Sequence, residues 1–169
     1  VDALAKMAGV TSGAFYSHLG SKDKAFILAL EEGLEEVINT IPKLQYEHKS
    51  NWVKAFSKYY LGKTHKENLE GGCSMTSLTP EVIRFGPEVH QIFEKKMNII
   101  IELLAFGLLG STEDKCAARA WSLVAILTGG LNITRAVDSK KASEEVSKII
   151  ITGAISVAGK TRTKGYKKI

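Results

Sequence analysis

Apolar residues recur at three- and four-residue steps along most of the chain, and no strand-length run alternates apolar with polar. Residues 2–8 form a short helical pattern in which Leu4 shares a face with Met7 and Ala8; Asp2 is expected to cap it and Gly9 to stop it. Thr11 heads a second short helix carrying Phe15, Tyr16 and Leu19, closed by Gly20. Ser21 opens a longer third with Phe26, Ile27, Leu30, Leu34, Val37 and Ile38 in register; the Ile41-Pro42 pair is expected to end it, because proline disfavours helical backbone in the residue before it. A fourth helix opens at Ser50 or Asn51 and carries Trp52, Phe56, Tyr59 and Tyr60. Gly71-Gly72 marks a loop over 68–74, and a short helix is expected over 80–85. Gly86-Pro87 breaks that helix and sets Pro87 in the first turn of a long one, whose stripe runs through Val89, Ile92, Phe93, Met97, Ile100, Leu103 and Leu104 to a stop at 107–111. Glu113 and Asp114 place acids at the positive end of the next helix. Between 116 and 127 its only charge is Arg119, so it is buried on more than one side. The last helix is expected to start near Ser143, with Glu144 and Glu145 in its first turn, and to end at Gly159. The pattern predicts an all-α protein.

Composition narrows this picture. With 44% hydrophobic and 24% charged residues, the 169-residue chain can bury a core of one or two small domains. The net charge of +5 equals the five bases Lys160, Arg162, Lys164, Lys167 and Lys168, which share a stretch without acids. The basic pI is therefore a property of a tail expected to be solvated, and it carries no argument for nucleic acid. Cys73 and Cys116 make neither a disulfide framework nor a zinc site, and the apolar runs over 99–109 and 121–131 are too short to span a bilayer. No signal peptide stands at the start, and the expected setting is cytoplasmic with reduced thiols. His18, His48, His65 and His90 show no metal-ligand spacing, and neither a nucleophile elbow nor a phosphate-cradling glycine loop is present. The chain is expected to be no enzyme and to hold neither cofactor nor metal.

The informative stretch is 3–24, ALAKMAGVTSGAFYSHLGSKDK. Two short helices around a glycine turn are the helix-turn-helix arrangement. Such a unit needs a small residue where the helices cross, a glycine to turn, a capped second helix and polar groups on its outer face. Ala5, Gly9, Thr11 and Ser12 meet those needs, and Tyr16 can pack its ring while its hydroxyl reaches a phosphate. The run Ala5, Ala8-Gly9-Val10, Gly13, Tyr16, His18-Leu19 and Lys22 resembles the TetR family of bacterial transcriptional regulators. Leu19 stands where the family usually has phenylalanine, and Lys24-Ala25 departs from an acid followed by a large apolar residue.

The resemblance implies that Thr11, Ser12, Gly13 and Ala14 face the major groove, that Tyr16 and His18 meet the DNA backbone or its edge, and that Lys22 meets a phosphate. It also implies a helix ahead of this pair, which the sequence from Val1 does not contain. The expected organisation is an incomplete DNA-binding unit with its connecting helix over 1–40, an effector-binding and dimerisation domain over 41–160, and a basic tail over 161–169. The segment from Gly72 to Glu81 is similar to a "GC…L..E" element of one branch of the family. The expected function is a one-component regulator, a repressor, that binds double-stranded operator DNA as a homodimer and responds to a small, mostly apolar effector. A helical dimeric ligand-binding protein without DNA binding is the reading left beside it.

Effector candidates are Trp52, Phe56, Tyr59, Tyr60, Met75, Phe85, Phe93, Met97 and Trp121, with Tyr59, Tyr60 and Asn98 for polar contacts. The last two long helices usually form the dimer in this family, and Val124, Leu127, Leu131, Val146, Ile150 and Ala154 are the expected interface, with Gly129-Gly130 allowing backbones to approach. Cys73, in a Gly-Gly-Cys turn, is the candidate redox-sensing thiol.

Overall fold

The computed structural model describes residues 2–7, 9–67, 73–110 and 112–163. Among these, the regular structure is helical, with one isolated antiparallel bridge between Leu108 and Thr161. Helix α1 (Asp2–Met7) and α2 (Ser12–Leu19) precede the long α3 (Lys22–His48). A single 3₁₀ turn leads into α4 (Trp52–Tyr60), then α5 (Lys63–Glu67), α6 (Ser74–Ser77) and α7 (Thr79–Val82). Three long helices complete the fold: α8 (Pro87–Phe106), α9 (Glu113–Ala136) and α10 (Lys140–Ala158).

Local chemistry sets most boundaries. Thr11, Ser21, Thr112 and Ser139 each accept a hydrogen bond from the backbone N–H three residues on, which satisfies donors the following helix leaves free. Gly9, Gly20 and Gly159 follow α1, α2 and α10 at positive φ, where a side chain would be strained.

Three boundaries differ from the sequence pattern. Helix α3 does not stop at Pro42 but continues two turns to His48. Those turns pack: Ile41 is fully buried, and the buried Gln45 donates its amide N–H to the carbonyl of Leu103 at 2.8 Å. This contact with α8 offsets the hydrogen bond that proline cannot donate. Helix α10 begins at Lys140, capped by Ser139, while Ser143 donates to the carbonyl of Thr134 and joins α10 to the end of α9. The helix expected over 80–85 is the shorter α7, preceded by a turn of helix, α6. Of the loop expected over 68–74, residues 68–72 lie outside the described residues.

The core is continuous. Leu30, Leu34 and Ile41 of α3 meet Trp52, Phe56 and Tyr60 of α4, Ile100 and Leu104 of α8, and Leu123, Leu127 and Leu131 of α9. Helix α9 is long and apolar enough, by length and composition alone, to cross a membrane; here it packs between α8 and α10. Arg119, its lone mid-helix charge, donates to the carbonyls of Leu109, Val157 and Lys160 at 2.7, 3.3 and 3.2 Å. It thereby ties the α8–α9 connection to the end of α10. The basic tail, expected to be solvated from Lys160 on, is held as far as Arg162: the backbone N–H groups of Leu109 and Arg162 donate to Lys160 and Gly107 at 2.8 Å each. Lys164, Lys167 and Lys168 lie outside the described residues.

Candidate nucleic-acid interface and ligand cleft

At the N-terminal end, α1 and α2 are joined by the Gly9 turn, closed by Val10 N–H donating to the carbonyl of Ala5 at 2.9 Å. Ala5 and Phe15 are buried where the two helices cross. Thr11 caps α2 through Ala14 N–H at 3.1 Å. Ser12 donates to the Asp2 carboxylate at 2.5 Å, so Asp2, expected to cap its own helix, braces the second one. Thr11, Gly13, Tyr16, His18 and Lys22 are exposed, whereas Ser12 and Ala14 are half-buried. Ser12 has its hydroxyl proton engaged within the chain, which leaves only its lone pairs for a partner. Lys6 of α1 is also exposed, and Lys24, noted in the sequence only as a departure from the family pattern, is exposed with its side chain over Gly20. Tyr16, half exposed, sets its ring edge-on to Phe15 at 6.0 Å between centroids. A buried ring thus fixes the direction of an exposed phenol.

The aromatic candidates divide. Trp52, Phe56 and Tyr60 are core, and Trp52 donates its indole N–H to the carbonyl of Gly107. Tyr60 lies in a buried polar knot: Cys73 Sγ donates to its Oη at 2.7 Å, and Tyr60 and Thr76 share a hydrogen bond at 3.1 Å. His65 stacks on the Tyr60 ring, and Arg135 donates twice to the carbonyl of His65 and once to Ser77 Oγ. Burial, with the neighbouring Cys73 next in weight, pushes the Tyr60 phenol well above its ordinary pKa. Tyr59 donates to Glu36 at 3.0 Å, and burial followed by that carboxylate raises its pKa to about 12. Cys73 and Cys116 are both buried, so no thiol stands open at the surface among the described residues.

Met75, Phe93, Met97 and Trp121 come together around an open cleft of about 480 Å³ between α6–α7, α8 and α9. Its remaining wall includes Thr76, Thr79, Ile83, Thr128 and Asn132, which the sequence reading missed. The signal was available on α9, where 121, 125, 128, 129 and 132 fall on one helical face. Phe85 does not line the cleft; it stacks on Phe26 of α3 with centroids 4.5 Å apart and planes 11° from parallel. Tyr59 and Asn98 also stand outside it.

Of the expected dimer residues, Val124, Leu127, Leu131 and Ala154 are buried in the protomer's own core, while Val146 and Ile150 are half-buried. They face inward because α9 and α10 pack on each other. Gly130 makes the close approach: a Cβ there would stand 2.6 Å from Ile150 Cγ2. The large apolar side chains that α9 and α10 leave exposed are Trp121, Ile133, Ile149 and Ile155.

A helix-turn-helix pair on a long connecting helix, followed by an all-helical body, is the architecture of the described residues. Among solved structures, the chain is similar to the crystal structure of E. coli NemR in its reduced form, with a TM-score of 0.66 and 20% sequence identity, over 93% of this chain and 84% of that one. At that identity the likeness is one of fold. No family model matches the sequence, and no curated protein does.

Proposed function

We propose that this chain is a one-component transcriptional regulator, a repressor, that binds operator DNA as a homodimer and is controlled by a small, mostly apolar ligand in the cleft of α6–α9. The observation that carries this reading is the built helix-turn-helix. A capped eight-residue helix presents Thr11, Gly13, Tyr16 and His18 outward, over a crossing of Ala5 and Phe15, with Lys22 at the start of α3. Polar and cationic groups at those positions suit phosphate contact and the reading of base edges.

A route from cleft to reading helix supports ligand control. Thr79 and Ile83 line the cleft on or beside α7, and two residues further Phe85 stacks on Phe26, one turn into α3. Ser74 of α6 seats on Gly33 of the same helix, with no room for a Cβ between them. A ligand that shifts α6–α7 therefore acts directly on the helix that carries α2. The site of action is the cytoplasm, where operator DNA is reached.

The test is selection from a random duplex library by the protein. Enrichment of a palindrome with half-sites about one helical turn apart is expected. Tyr16→Ala should weaken binding to all duplexes, and Thr11 variants should alter the preferred bases. Absence of any enriched site would leave α2 without a reading role.

A further inference from the structure

The cleft between α6–α7, α8 and α9 carries more information about its ligand than its apolar surface. We infer that it takes an uncharged aromatic ligand bearing a hydrogen-bond donor, and that the Asn132 side-chain amide receives that donor. The inference rests on the reading of the cleft as a ligand site.

No charged side chain lines the cleft among the described residues. Arg135, one turn beyond Asn132 on α9, is committed to the His65 carbonyl and Ser77. Those partners are neutral and leave its charge in place, but they occupy its N–H groups; an ion entering the cleft would lose water and find no charged side chain in the wall to hydrogen-bond it, so charged ligands are disfavoured. The net charge of +5 acts the other way on anions at long range, so rejection of an anion has to come from the cleft itself.

The polar groups of the wall are mostly spoken for. Thr128 Oγ1 donates to the carbonyl of Val124 at 2.7 Å, Thr79 Oγ1 donates to the carbonyl of Met75, and Thr76 Oγ1 shares its hydrogen bond with Tyr60. These hydroxyls retain lone pairs for the cleft. Asn132 makes no side-chain hydrogen bond among the described residues and is exposed at the cleft wall, so its carbonyl oxygen is free to accept and its NH2 to donate; with the threonine hydroxyls offering chiefly lone pairs, the wall as a whole is weighted towards accepting. Phe93 and Trp121 supply ring surfaces, and Met75 and Met97 supply thioethers that pack against ring edges and adapt to shape. A volume of about 480 Å³ accommodates two or three fused or linked rings.

Two fluorescent probes with one skeleton separate the terms: N-phenyl-1-naphthylamine, neutral with a single N–H, and 1-anilinonaphthalene-8-sulfonate, its anionic counterpart. Each is titrated into the full chain and into Ala125→Trp, which fills the cleft from an exposed position on α9. Gly129→Leu is the second blocking variant, since a Cβ at Gly129 meets nothing within 4 Å. The neutral amine is expected to bind the wild type and to lose at least tenfold in affinity in both blocked variants. The sulfonate is expected to bind the cleft at least tenfold more weakly than the amine. Asn132→Leu should weaken the amine several-fold while leaving unchanged the affinity for 1-phenylnaphthalene, which has no donor. Sulfonate binding within tenfold of the amine, abolished by Ala125→Trp, overturns the inference alone, as does an unaltered amine affinity in Asn132→Leu. Probe binding that neither blocked variant changes, or no binding at all, overturns the ligand-site reading together with it.

Discussion

Tyr59 and Tyr60 are neighbours in sequence that meet different surroundings. The helical turn between them sends Tyr60 inward to Cys73 and Thr76 and leaves Tyr59 half-buried against Glu36 on α3. Both phenols are held above the ordinary value of 10.0, Tyr59 at about 12, first by burial and then by a neighbouring acidic group. The folded chain therefore keeps these protons at a pH where the unfolded chain has begun to lose them. The stabilisation they provide is complete below about pH 10 and is lost as pH rises towards 12. Urea midpoints measured at pH 9 and pH 11.5 should fall for the wild type, and the fall should be smaller for Tyr59→Phe, which cannot ionise. Other groups titrate in this range, so the difference between the two proteins is the informative quantity. An equal fall in both would remove Tyr59 from the account.

At the scale of elements, caps and glycine turns were legible because they are decided within four residues. Thr11, Ser21 and Gly20 act as their residue types dictate. Pro42 was misleading for the opposite reason: its local penalty, about 3 kcal/mol in a helix interior, is set against packing on α8, some 60 residues away in sequence, that no local pattern reveals. The start of α10 was placed at Ser143 and lies one turn earlier, because Ser139 is an equally good cap and only the position of α9 assigns Ser143 to the carbonyl of Thr134. The cleft was half legible. Its rings and thioethers were visible as an apolar set, but which of them line space and which fill it depends on how α6 and α7 sit on α3. Gly130 illustrates the same limit: the glycine pair signalled close approach, and the structure assigns that approach to α10 of the same chain. Gly130→Ala gains helix propensity of about 1 kcal/mol but forces its Cβ on the stiff, branched Ile150, for which overpacking costs about 1–3 kcal/mol. A net loss of stability in urea unfolding is expected, and Ile150→Ala should relieve the clash in the double variant, leaving a non-additive pair. Additive effects of the two substitutions would show that the helices can part without cost.

At the scale of the whole molecule, the outer face of the last two helices bears on assembly. Helices α9 and α10 bury one face in the protomer, yet Ile133 and Ile149 remain 52% and 69% exposed on the other. A homodimer through this face is the reading that the family resemblance implies, and it would bury well over 1,000 Å² in a stable interface. The structure changes which substitutions test it. Val124 is 7% exposed and belongs to the protomer core, so Val124→Asp places a charge where no partner awaits it and is expected to unfold the chain whether or not it dimerises. Ile149→Asp and Ile133→Asp act on exposed positions, leave the core intact, and are expected to give folded monomers by sedimentation at micromolar concentration with an unchanged helical circular dichroism spectrum. On the proposed function two half-sites are read together, so these monomers should also lose the preference for a palindrome while retaining weak, salt-sensitive binding to single half-sites. A wild-type chain that sediments as a monomer at that concentration, or aspartate variants that remain dimeric, would place the interface elsewhere.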